Sequence, residues 1–364
     1  MRLFLCGDVM TGRGIDQIMP YPCEPILYEP HIRSALGYVK LAESHSGEIP
    51  RAVPFDYIWG DALDEIDRRE PDLRIINLET SVTADGQPEP KGINYRMHPA
   101  NVGCIAAADI DCCILANNHV ADWGSAGLKN TLRAIQQAGL ATAGAGLDAD
   151  RAAAPAMLEG APGKRLLVFA FACPSSGVPD HWAAATNRPG VNVLASLGEN
   201  ALTAVIRSID RWRRPGDVVL VSVHWGPNWG YEVPAAHIRF AHGLIDSARV
   251  DVVHGHSSHH PLAIEVHAGK PILYGCGDFI NDYEGIAGHE AYRPELSLAY
   301  FIDLDDVSHT RLRMEMVPFR MQKFRLVRAS DVDAAWLSQT LDRECRRFER
   351  RVRLTDQSTL MLSV

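Results

Sequence analysis

No stretch of this sequence approaches the roughly 18 consecutive apolar residues that a membrane-crossing helix needs, so no spanning segment is expected. Basic residues are in the minority. The 36 Lys and Arg against 45 Asp and Glu leave a net charge of -9, which argues against a nucleic-acid partner because neutralising phosphates normally takes a basic face. The eight cysteines form no C-x-x-C pair. Cys6, Cys112, Cys113 and Cys276 lie inside apolar runs, which reads as reduced core residues rather than a disulfide framework or a thiolate metal site. There is no internal repeat, low-complexity tract or Gly/Ser-rich linker, so one integrated domain over residues 1–364 is expected. The first polar motif ends at Asp8, which leaves no room for a signal peptide, and a cytoplasmic location is the expectation.

The 46% apolar and 22% charged residues place the chain among globular proteins able to bury a large core. Short apolar runs recur at 3–6, 73–78, 112–115, 166–171, 218–223, 252–254 and 272–274. Most are continuous rather than alternating, the pattern of strands covered on both faces. Segments 127–138, 197–212 and 235–247 between them carry apolar residues at helical spacing. The alternation predicts an α/β layered fold. Four polar or Pro-rich stretches, 20–55, 85–99, 173–190 and 281–294, interrupt it and are expected to be loop insertions that border a site. Arg343, Arg346, Arg347, Arg350, Arg351 and Arg353, interspersed with Glu344 and Glu349, read as the solvated side of a last helix.

Residues with ligand or proton-transfer chemistry stand at the ends of these runs, where α/β folds place their sites. The first run ends in Gly7-Asp8, which is also a turn signal. The second delivers Glu79, where an unpaired buried charge would be costly and a metal would remove the cost. The third leads into Asn117-Asn118-His119, followed by Asp122 and Gly124. The fourth ends in His224-Trp225-Gly226, and the fifth opens a run in which His254, His256, His259 and His260 fall within seven residues. A single histidine reads as a hydrogen-bonded core residue. The cluster with Asp8, Glu79 and His224 reads as a mixed imidazole and carboxylate ligand set for one or two divalent ions, with Mn, Zn, Fe and Ca not distinguished by spacing.

Together these motifs resemble the CapA or PgsA-like proteins, a branch of the calcineurin-like metallophosphoesterase superfamily. The resemblance runs from Asp8 to about Asp282. It rests on Gly7-Asp8-Val9-Met10 with Gly12-Arg13, Asn77-Leu78-Glu79, Asn117-Asn118-His119 with Asp122 and Gly124, His224-Trp225-Gly226, Gly255-His256 with His259, and Gly269-Lys270-Pro271 before Gly277-Asp278-Phe279. It implies a calcineurin-like sandwich of two β-sheets flanked by helices, with a metal centre at the strand ends. It also implies Asp8, Glu79, Asn118, His224, His256 and His259 as metal ligands and His119 as the proton donor of phosphoesterase relatives. Met10 stands where the superfamily usually has the histidine of Asp-x-His and is a poor ligand for hard ions. Asp278 stands where the family usually has Asn, either as a titratable group near the site or as a cap of the following turn.

Stand-alone relatives of this kind resemble the epimerases of lasso-type precursor peptides, which invert a C-terminal residue. A metal on the substrate carboxylate would stabilise the charge that develops on α-deprotonation, with a base on one face and an acid on the other. The expected acid/base candidates are His119 and Asp278, then His289. Arg13 either pairs with a substrate carboxylate or anchors the first loop, and Trp225, Trp229 and Tyr231 either hold an aromatic side chain or pack. The expected partner is thus a peptide. The alternatives are a metal-dependent phosphoesterase or hydrolase and a noncatalytic CapA-like binding protein in acidic polymer biosynthesis.

Overall fold

Apolar runs without alternation require cover on both faces, and two sheets stacked face to face under helices provide it. The computed structural model describes residues 1–161, 163–304 and 312–363. Strand Arg165–Ala172 illustrates the arrangement. Its Leu166, Val168, Ala170 and Ala172 join the core shared with the other sheet, while Leu167, Phe169 and Phe171 pack under helices Glu199–Trp212 and Ala235–Asp246. Each buried Leu, Val or Phe among them contributes about 1.5–3 kcal/mol relative to exposure.

The larger sheet has ten strands. Its main path runs Arg351–Leu354, Leu360–Ser363, Arg313–Gln322, Leu296–Asp303, Arg2–Val9, Leu73–Leu78, Cys112–Ile114 and Ala141–Ala143. The six-stranded sheet runs Ile264–His267, Lys270–Leu273, Val252–His256, Val218–His224, Arg165–Ala172 and Ala156–Glu159. Arg2–Val9, Leu73–Leu78 and Cys112–Ile114 are parallel, as are Arg165–Ala172, Val218–His224 and Val252–His256. Their C-terminal ends deliver the polar motifs. The expected α/β sandwich of two sheets flanked by helices is the fold observed.

Some expectations change in detail. Stretch 20–55 carries the helix Leu36–Ser46, whose Tyr38, Val39 and Ala42 are buried. The last helix, Asp331–Cys345, stops before most of the arginine run. Arg351 and Arg353 belong to strand Arg351–Leu354, and Arg346 and Arg351 both pair with the buried Asp342. The run is therefore partly structural, because one carboxylate collects two guanidinium groups. No helix among the described residues is long and apolar enough to cross a membrane.

Candidate metal centre

Strand register assembles the site. Asp8, in strand Arg2–Val9, lies opposite Asn77 on one side and Asp278 on the other, and His224 lies opposite His256 in the second sheet. The two sheets meet through alternate residues. His254 Nε2 lies 2.9 Å from the Cys6 carbonyl oxygen, and His256 Nδ1 lies 2.8 Å from Asp8 Oδ1. Gly7 is required here, since a Cβ would fall 1.7 Å from the Gly277 carbonyl oxygen. Ser257 takes φ 94°, the left-handed region a non-glycine residue seldom adopts, in the turn that swings His259 back to the site.

Two donor triads share Asp8. One ligand atom from each of Asp8, Glu79 and His224 lies within 4.8 Å of the others, and the same holds for Asp8, His259 and Asp278. Asn118 joins the first, its Oδ1 lying 3.0 Å from His224 Nε2, and Glu79 Oε1 is 3.9 Å from the same nitrogen. In the second, His259 Nδ1 is 2.8 Å from Asp278 Oδ1.

The donor set suits a cation. Asp8, Glu79 and Asp278 are at most 1% exposed, and none pairs with Lys or Arg among the described residues. Buried carboxylates in that state are costly unless a positive charge joins them. His224 Nδ1 is buried without a hydrogen-bond partner, while two acceptors, from Asn118 and Glu79, crowd its Nε2. Those three atoms converge as metal donors do, and oxygen with imidazole nitrogen suits Mn, Zn or Fe.

Electrostatics follow the same crowding. Burial, reinforced by the charge of Asp8, pushes Glu79 well above the usual carboxylate range. Burial alone would also raise Asp8, but the hydrogen bond and charge of His256, with His224, pull it below that range. Burial raises Asp278 against the opposing effect of His259. Burial lowers His224 to about 3 and His119 to about 4.

The expected site residues divide into groups. Asp8, Glu79, Asn118, His224 and His259 come together as the motifs implied. His256 is adjacent but belongs to neither triad, since its Nδ1 faces Asp8 and its Nε2 lies 3.3 Å from His254 Nδ1. His119 Nδ1 meets Asp122 Oδ2 at 2.6 Å, and its Nε2 lies 3.9 Å from Glu79 Oε1. Asp278 sits among the ligand atoms rather than across a substrate from His119. His289 stacks flat on Trp229, with ring centroids 3.8 Å apart, and the half-buried Tyr231 and Tyr292 complete that aromatic group over the fully buried His260.

Two expectations about substrate contacts are corrected. Arg13 is 3% exposed and turns every donor inward: Nε and Nη2 bond Asp282, Nη1 bonds Glu29 and Tyr38, and Tyr38 and Tyr95 cover the guanidinium faces. It anchors the first loop, because two buried carboxylates need it more than solvent does. Trp225 is 2% exposed, stacks on His237 and donates its indole N–H to the Tyr274 carbonyl, so it is core.

Other residues escaped the sequence reading. Lys91 pairs with Asp122 at 2.7 Å and donates to the Asn118 carbonyl, and Tyr95 lies edge-on to His119. Both come from stretch 85–99, where a lysine in a polar loop looks solvated. Tyr283 places its hydroxyl 3.4 Å from His259 Nε2 and also lines a neighbouring cleft of about 720 Å³ with His45, Arg293 and Arg320.

Comparison with known proteins agrees with this geometry. The family described as "Bacterial capsule synthesis protein PGA_cap" matches residues 2–283, which include every ligand of both triads. A probable polyglutamine synthesis accessory protein of Mycobacterium tuberculosis is 46% identical over 352 residues, covering 96% of this chain and 92% of that protein. The PGA biosynthesis protein CapA of Bacillus subtilis is 30% identical over 216 residues, covering 59% of this chain and 54% of its own. The capsule biosynthesis protein CapA of Bacillus anthracis is 25% identical over 196 residues, covering 54% and 46%. With strand ends, donor atoms and sequence in agreement, this chain belongs to the CapA-like PGA_cap family, whose fold is calcineurin-like.

Proposed function

We propose that this protein is an accessory factor in the synthesis of an acidic, glutamate-based polymer and that its metal centre grips a carboxylate of that polymer. The observation that carries the reading is the family matched over residues 2–283, described as a bacterial capsule synthesis protein, together with relatives named for PGA and capsule biosynthesis; the relative matched over 96% of the chain is named for polyglutamine, whose side chains are the uncharged amides. A chain of net charge -9 repels a polyanion at long range, so its recognition must be local. A divalent ion, when bound, supplies the Lewis acid that accepts a carboxylate oxygen.

The chain's own residues do the rest. Asp8, Glu79, Asn118 and His224 would hold one ion, and Asp8, His259 and Asp278 would be donors for a second. Asp122 fixes the Nδ1 side of His119 and leaves Nε2 facing the site, where the neutral imidazole accepts a proton or a hydrogen bond. The half-buried Trp229 and Tyr231 form a rim, and the cleft that shares Tyr283 with the site gives an extended chain room to run.

The relatives' names move the balance from the peptide epimerase expected first to this reading. A second reading, phosphoester hydrolysis, draws on the His119–Asp122 pair beside Glu79.

Calorimetric titration of the manganese-loaded protein with α- and γ-linked glutamate oligomers tests the proposal. Binding that requires metal and is lost in Asp8→Asn is the expected result. No binding, with turnover of an aryl phosphate instead, would replace it with the hydrolase. Deuterium entry at a peptide α-carbon would restore the epimerase.

A further inference from the structure

We propose a second, peripheral divalent-metal site formed by His242, Glu265 and His267 with Asp246 at its edge, which ties helix Ala235–Asp246 to strand Ile264–His267. His242 and Asp246 are four residues apart on the helix and so share a face. Glu265 and His267 are two apart on the strand and share one too. One donor atom from each of His242, Glu265 and His267 lies within 4.8 Å of the others. This cluster shares no residue with the central triads.

The contacts are those of a ligand set. His242 Nε2 is 2.8 Å from Glu265 Oε1, and His267 Nε2 is 2.9 Å from Asp246 Oδ1. The two imidazoles lie face to face, 3.8 Å apart at 8°. Neither carboxylate has a Lys or Arg partner among the described residues. The Tyr274 hydroxyl donates to Glu265 Oε2 at 2.6 Å, which leaves Oε1 aimed at His242, the support that metal-binding carboxylates receive from their surroundings.

Access and chemistry agree. The side chains of His242 and His267 are 31% and 26% exposed, so an ion can enter without unfolding the protein. Two imidazoles with one or two carboxylates suit zinc, cobalt or nickel, and metal–ligand bonds of about 2.0–2.2 Å would replace the present hydrogen bonds. Ile264–His267 is the edge of the six-stranded sheet, and the helix leads into Val252–His256. An ion here would therefore tie this edge strand to the helix that leads into the strand ending in His256.

The protein carrying Asp8→Asn and His224→Ala, with the central centre disabled, isolates this site. After loading with zinc and gel filtration, plasma mass spectrometry is expected to find about one equivalent bound, zinc is expected to raise Tm, and cobalt is expected to give visible d–d bands. Adding His242→Gln and His267→Gln should abolish all three. Should those replacements impair folding, Glu265→Gln preserves volume and is expected to weaken zinc binding at least about tenfold. Absence of zinc from the central-site variant, or binding unchanged by either set of substitutions, overturns the proposal.

Discussion

Asp8 and Asp278 lie in register on the paired parallel strands Arg2–Val9 and Asp278–Ile280, both buried and without a basic partner other than histidine. That pairing explains how a centre can be built with Met10 in the first motif, because a carboxylate arrives from the neighbouring strand. Asp278→Asn should therefore act in opposite directions with and without metal. In metal-free protein it relieves a buried like-charge contact and is expected to raise Tm. In loaded protein it removes a ligand and is expected to lower affinity for the second ion by about 10–100-fold or more. Calorimetric melting with and without metal, alongside metal content, reads both.

Arg13 makes its case through stability. Removing it leaves Asp282 and Glu29 buried together with nothing between them. Arg13→Ala is expected to cost about 3–5 kcal/mol in urea unfolding. Arg13→Lys should rescue only part, since one ammonium cannot reproduce the forked contacts to Asp282. A substrate-binding role would instead leave stability intact.

How much of this was legible in the sequence depended on the distance over which each residue's partners act. The strands were readable because burial on both faces removes alternation, as in Arg165–Ala172. The ligands were readable because a polar residue ending an apolar run has few other reasons to be there, as with Glu79 and His224. Arg13 was not, because its partners lie 16 and 269 residues away. Lys91 was hidden by a loop that appears solvated until it folds over Asp122. Trp225 and Trp229, four residues apart, are alike by type; both follow strand Val218–His224, and only the path of the loop after it packs one beneath helix Ala235–Asp246 and carries the other to the rim.

Those two tryptophans give the next test. Trp225→Ala empties a core position and is expected to cost about 3–5 kcal/mol. Trp229→Ala loses a half-buried stack on His289 and is expected to cost about 0.5–1.5 kcal/mol. If the rim holds the polymer, Trp229→Ala also weakens oligomer binding while metal content stays unchanged. Equal destabilisation by the two would remove Trp229 from the rim.

Asp342 offers a pH test away from the centre. Its carboxylate takes Arg351 and Arg346 and the Val352 backbone N–H, and hydrogen bonding to Arg351 holds it well below the usual range. A group whose folded value is depressed stabilises the fold above its unfolded value, near 3.9, and loses that contribution as pH falls. Asp342→Asn is therefore expected to cost about 1–3 kcal/mol at pH 7. The gap should narrow below about pH 4, as the unfolded chain's carboxyl takes up a proton that the folded, arginine-held carboxylate does not. Thermal melts of both from pH 7 to pH 3 measure it. A gap that stays constant across that range would mean that Asp342 acts through shape and not through charge, and the arginine run would return to the solvated face first expected of it.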